Sequence, residues 1–214
     1  MATHRMRDLA AQIVDLQQEL DREIEERRKE LGLRFRGRLA EFEQGVTLRH
    51  KRLKQSAAQF FVQSNLFSLL TAPVIYSMIV PLALLDLWAT VYQHICFHAY
   101  RIPRVRRSDY VVLDRHRLSY LNWIEALNCA YCGYGNGVIA YVREIASRTE
   151  QFWCPIKHAL RVQDPHQRYY EFLEYGDADG YRERLGQFRE ALRKGDERTP
   201  PPVAGMELAK EQSV

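Results

Sequence analysis

The chain has 214 residues, 46% hydrophobic and 27% charged, with four cysteines and a formal net charge of +4. Those fractions fit one medium globular domain or two small units, and so few cysteines exclude a disulfide-rich secreted scaffold. The average conceals segregation: between Gln55 and Tyr100 the only side chain ionised at neutral pH is Asp86. Basic residues crowd both borders of this apolar zone, with Arg49, Lys51, Arg52 and Lys54 before it and Arg101, Arg104, Arg106 and Arg107 after it. No apolar run with a small-residue cleavage site follows the initial Met, so a reducing, cytoplasmic setting is expected. There, metal or redox chemistry outranks structural disulfides.

The expected fold is mainly α. Residues 1–56 read as an amphipathic helical arm. Leu9, Ile13, Leu16, Leu20, Ile24 and Leu31 recur at spacings near three and four, a short coiled-coil pattern that offers residues 6–31 as a seam for a homo-oligomer. Arg27 interrupts the seam, and Gly32 and Gly37 weaken the helix locally.

Residues 57–100 form the membrane-embedded segment. Leu66 to Leu85 carries no charge and matches the ~20 residues a bilayer crossing needs. The apolar character continues to Phe97, and a helix over the whole stretch would extend ~60 Å, about twice the hydrocarbon thickness. Pro73 and Pro81 supply breaks, and both borders are basic. The pattern therefore predicts an apolar hairpin with both ends on the cytoplasmic side of an inner membrane, with a single crossing plus an interfacial helix as the alternative. Asp86 should lie near a turn, be neutral or be paired. His94 and His98, at i and i+4, share a helix face, a spacing that can chelate a metal and that also suits two imidazoles at the headgroup level.

Residues 101–194 read as a cytoplasmic helical unit and 195–214 as a polar, disordered tail. The basic segment 101–117 suits anionic lipid headgroups; no nucleic-acid recognition motif accompanies it. Tyr110 to Leu113 has the pattern of a short strand. Helices are expected over 118–128 and 138–153, with Gly133-Tyr-Gly-Asn-Gly137 as the loop of a helical hairpin between them. A further helical segment begins at Asp164-Pro165, and a last amphipathic helix spans 181–194.

The chemistry concentrates in this unit. Cys129-x-x-Cys132 can bind a tetrahedral metal or act as a redox dithiol, and Cys154-Pro-Ile-Lys-His158 adds a thiol and an imidazole. Together they make a Cys3His set for structural zinc, with iron as the alternative. If the glycine-rich loop makes a hairpin instead, the second choice is His116 beside Cys154 and His158, or a facing pair of Glu125 and Glu144. The first half resembles the C-x-x-C-G-Y knuckle of rubredoxin-like and zinc-ribbon proteins, and the second their C-P-x-C-G knuckle, with Lys157 where the fourth Cys stands. The pattern Tyr141-Val-Arg-Glu-Ile145, Glu150-Gln151 and Trp153-Cys-Pro-Ile-Lys-His158 in the middle of the chain also resembles an uncharacterised bacterial membrane-protein family, a resemblance that implies no activity. The expected function is a membrane-anchored, zinc-bearing scaffold or interaction protein whose partner is the lipid bilayer. A membrane-bound thiol- or iron-dependent oxidoreductase is the alternative.

Overall fold

The computed structural model describes residues 4–31, 33–36, 39–42, 44–54, 56, 62 and 65–194; the expected disordered tail lies outside them. The protein is mainly helical, and it divides into two compact units. Of the described residues, one gathers those up to Glu23, Ala89–Val105 and 141–194; the other gathers those within Ile24–Trp88 and Arg106–Ala140.

Helix α1 covers His4–Glu30. The arm is not helical throughout, as the periodicity implied. Leu33–Arg36 (β1) and Leu39–Phe42 (β2) pair antiparallel, Leu33 opposite Phe42 and Arg36 opposite Leu39. Helix α2 follows at Gln44–Arg52.

The apolar zone is one helical run of 35 residues, Leu66–Tyr100, long and apolar enough to cross a membrane. The expected apolar hairpin does not form. Asn65 caps the run, its side chain accepting from the Phe67 N–H. Helix α3 (Leu66–Ser77) passes into α4 (Ile79–Tyr92) through Met78, which keeps right-handed helical angles. Pro81 lacks the N–H that would reach the Ser77 carbonyl, and its ring crowds that carbonyl. This disturbs one turn without reversing the chain. A π-helical turn at Gln93–Phe97 and a last turn at His98–Tyr100 complete the run. Arg101, in the left-handed region at φ 58°, ends it. The Ile102 N–H reaches back to the Phe97 carbonyl and the Arg101 N–H to that of His98, a Schellman closure.

Residues 101–122 are irregular apart from short 3-10 turns at Arg107–Asp109 and Arg115–Arg117, so Tyr110–Leu113 is not a strand. Helix α5 then runs unbroken from Trp123 to Trp153, replacing the expected helical hairpin. Its start is a capping box: the Asn122 side chain accepts from the N–H groups of Ile124 and Glu125, and Glu125 accepts from the Asn122 N–H. The glycines serve close packing rather than a turn. A Cβ on Gly137 would stand 2.8 Å from the Tyr110 carbonyl oxygen and from Val111 Cα, and one on Gly133 3.4 Å from the Val112 oxygen. The last helix, α6, is Ala178–Arg193, capped by Asp177. Phe172, Leu173 and Phe188 form a core beneath it with Tyr169 and Tyr181 packed against them.

Candidate functional site

The dominant feature is an uncovered apolar surface on α3 and α4. Phe67 is 74% exposed, Val74 69% and Trp88 76%, where a water-soluble fold would bury them. Only one stripe of the run, through Ala72, Tyr76, Leu82 and Asp86, is screened by protein. In the second unit this stripe meets the first half of α5. Tyr76 Oη donates to the Asn128 side chain, and Tyr131 Oη donates to the Ile75 carbonyl at 2.6 Å. That carbonyl also accepts the Met78 N–H at 3.2 Å, so the tyrosine adds a second donor there and ties α5 to the end of α3. A Cβ on Gly135 would lie 3.3 Å from Leu82.

Asp86, the single charge of the zone, is paired. Arg107 clamps it with Nε at 2.9 Å from Oδ1 and Nη2 at 2.6 Å from Oδ2, while Tyr134 Oη donates to Oδ2 at 3.0 Å. The guanidinium also stands 6.0 Å from the Tyr134 ring centre. This bidentate pair offsets the cost of holding a carboxylate on an apolar helix.

The expected metal ligands do not converge. Cys129, half-buried, and Cys132, exposed, are part of α5, and Cys154 follows its last residue; the helix between Cys132 and Cys154 rises ~31 Å. The continuous helix likewise separates Glu125 from Glu144 by ~28 Å. Residues 154–158 do not form a metal knuckle. Ile156 bridges to Leu173, and the buried Lys157 ammonium pairs with Glu174 at 2.6 Å. His158 is exposed, its ring stacked on Tyr169 with centres 6.0 Å apart. His116 is exposed on its 3-10 turn, and His94 Nδ1 lies 2.7 Å from the Thr90 carbonyl oxygen of its own helix. Among the described residues no group of three or more His, Cys, Asp or Glu side chains is arranged to hold a metal ion. Burial and the Glu150 carboxylate push the Cys154 thiol above its ordinary value, the reverse of what a reactive cysteine needs.

The first unit holds two polar networks that spacing alone did not reveal. Gln93, in the π-helical turn, pairs with the Val105 backbone through both ends of its amide: Oε1 accepts the Val105 N–H at 2.9 Å and Nε2 donates to the carbonyl at 3.2 Å. Nε2 also contacts Tyr141 Oη. A π-turn adds one residue to the helix and swings such a side chain out of register. The second network centres on Glu144. Arg148 Nε donates to it at 2.7 Å and Arg168 Nη2 at 2.8 Å, and Arg148 also reaches the Pro103 carbonyl at 2.7 Å. Burial alone would raise the Glu144 pKa, but Arg168 and Arg148 outweigh it and hold the carboxyl below its ordinary value. His166 fixes a neighbouring turn: Nε2 meets Glu150 at 2.8 Å, and Nδ1 accepts the Tyr169 N–H at 3.2 Å.

These features define a mainly helical protein with one helix suited to a membrane and polar networks that tie its segments together. No protein-family model, curated protein or solved structure matches the chain.

Proposed function

We propose that this chain is a membrane-anchored helical scaffold or interaction protein acting at the cytoplasmic face of a bacterial inner membrane. The observation that carries the reading is the helical run Leu66–Tyr100, whose most apolar stretch contains no buried residue. The flanking Arg and Lys residues support the cytoplasmic side. The polar networks favour a structural role: Asp86, Glu144 and Lys157 are each occupied by an ion pair. Separation of cell membranes from cytosol tests it. The protein should sediment with membranes through a carbonate wash and enter the supernatant only with detergent; recovery in the cytosol without detergent overturns the reading.

A second copy is the natural partner for α1. Leu9, Ile13, Leu16 and Leu20 remain 49–64% exposed along one face, the seam of residues 6–31. The Leu16→Lys, Leu20→Lys double variant should shift detergent-solubilised protein from dimer to monomer in sedimentation equilibrium. An unchanged mass for the variant, or a monomeric wild type, removes this seam.

A further inference from the structure

We propose that the apolar helix of the second unit lies in the plane of one leaflet of an anionic bilayer and does not cross it. This rests on the membrane reading above and adds its geometry. The argument is one of depth. From Leu66 to Trp88 the run measures ~34 Å, so a helix standing along the bilayer normal would place every level of that stretch in or beside the hydrocarbon.

What lies at those levels is not suited to hydrocarbon. Helix α5 runs parallel to the apolar run, Asn128 meeting Tyr76 and Gly135 meeting Leu82. The irregular segment 106–122 runs back along α5 in the opposite sense. Arg107 grips Asp86, Tyr110 and Val111 abut Gly137, and Val112 and Leu113 abut Gly133. The chain then continues through Asp114, Arg115 and Arg117 to Asn122, which caps the start of α5. These charged residues therefore sit level with the middle and first half of the apolar run. Irregular, charged backbone at hydrocarbon depth is tolerated only inside protein or beside a water-filled cavity, yet Arg106, Asp114, Arg115 and Arg117 are exposed.

Turned into the membrane plane, the same unit meets no conflict. The uncovered face of the run, with Phe67, Leu70, Val74, Leu84 and Trp88, enters the acyl boundary. The screened stripe, with Tyr76 and Asp86, turns toward α5 and the charged segment at headgroup level. The occupant is identified by charge. The ring of His50, which belongs to α2, packs edge-on against Tyr120 with centres 5.2 Å apart. This sets the exposed Lys51, Arg52 and Lys54 beside the segment that carries Arg115 and Arg117. Such a basic group is complementary to phosphatidylglycerol-type headgroups.

The test is sidedness, read on full-length protein in sealed membrane vesicles of both orientations. Trypsin added outside should cut at both Lys54 and Arg115 in one orientation and at neither in the other. Cleavage at Lys54 from one face and at Arg115 only from the opposite face overturns the proposal, as does an Arg115 that resists trypsin from both faces while Lys54 is cut. Variants with one cysteine, Lys54→Cys or Ser108→Cys, in a background with the four native cysteines replaced give the same answer by an impermeant maleimide: both labelled from one side supports it, opposite sides overturns it. Protein that never sediments with the vesicles fails the membrane reading itself, an outcome distinct from opposite-sided cleavage.

Discussion

At the level of single residues, the pairing of charges decides more than their presence. Glu144 is the clearest case. It accepts from two guanidiniums, and its neighbours Ser147 and Arg148 are buried. Removing one partner of such a buried pair costs about 3–5 kcal/mol. Glu144→Gln should therefore lower the midpoint of thermal unfolding in detergent substantially, by the equivalent of about 3 kcal/mol, whereas a merely solvated glutamate would leave it unmoved. The pH dependence has a defined sign. The folded carboxyl titrates below the ~4.3 of an unfolded glutamate, so its contribution is fully present above that value and is lost as pH falls through the folded pKa. Wild-type stability should drop on acidification below pH ~4, and the Glu144→Gln variant should show a shallower drop. The thiols give the opposite lesson. Cys129-x-x-Cys132 and Cys154-x-x-x-His158 were legible as ligand spacings, but spacing cannot report that α5 stays helical between them. Cys132 and Cys154 are exposed and free, so purified protein should react with a thiol reagent at these positions without prior chelation, Cys154 the more slowly because its thiol is pushed up. Reaction only after a chelator is added would show a metal held by an arrangement other than this one.

At the level of elements, the readings succeeded where periodicity was long and failed where glycine and proline had to be interpreted. The apolar run is visible as a long stretch without charge, and α6 because its apolar residues repeat over several turns. The two Gly-rich and Pro-broken stretches were read as turns, and both are helix interiors. The reason lies in partners distant in sequence. Proline disturbs a helix by one carbonyl, and the Tyr76 and Tyr131 hydroxyls tie α3 to α5 beside that turn. Glycine lowers helix stability by ~1 kcal/mol relative to alanine, a cost accepted here because the segment at Tyr110 and Val111 approaches too closely for any Cβ. The two effects can be separated. Gly137→Ala gains ~1 kcal/mol of helix propensity but drives a methyl to 2.8 Å from backbone atoms, and overpacking of that kind costs about 1–3 kcal/mol. Net destabilisation is expected. Gly186 in α6 is exposed with nothing within 4 Å of a Cβ, so Gly186→Ala should stabilise by up to ~1 kcal/mol. If both substitutions stabilised equally, close approach would not be what α5 keeps glycine for. The β1–β2 pair was missed because eight strand residues inside an amphipathic pattern barely alter its average spacing.

At the scale of the whole molecule, the proposed attachment to lipid rests on two terms, and their sizes make a prediction. Basic residues near an anionic surface contribute about 1 kcal/mol each, so Lys51, Arg52, Lys54, Arg115 and Arg117 together supply about 5 kcal/mol. Fully burying a large apolar side chain is worth about 1.5–3 kcal/mol. Phe67, Leu70, Val74, Leu84 and Trp88, each more than half exposed in the fold, would thus add about 7–15 kcal/mol on entering the acyl boundary. The apolar term is the larger, and salt acts only on the smaller: the Debye length shrinks from ~10 Å at 0.1 M to ~3 Å at 1 M. Vesicles of mixed anionic and zwitterionic lipid should therefore bind the protein more tightly than purely zwitterionic ones at low salt. That preference should vanish in 1 M salt while most of the protein remains bound to both. Replacing Leu70 and Leu84 with aspartate should have the complementary effect, leaving a residual attachment that 1 M salt removes. Complete release of the unaltered chain by salt alone would reverse the ranking, making the apolar helix a surface covered by protein and leaving the basic segment as its only hold on the membrane.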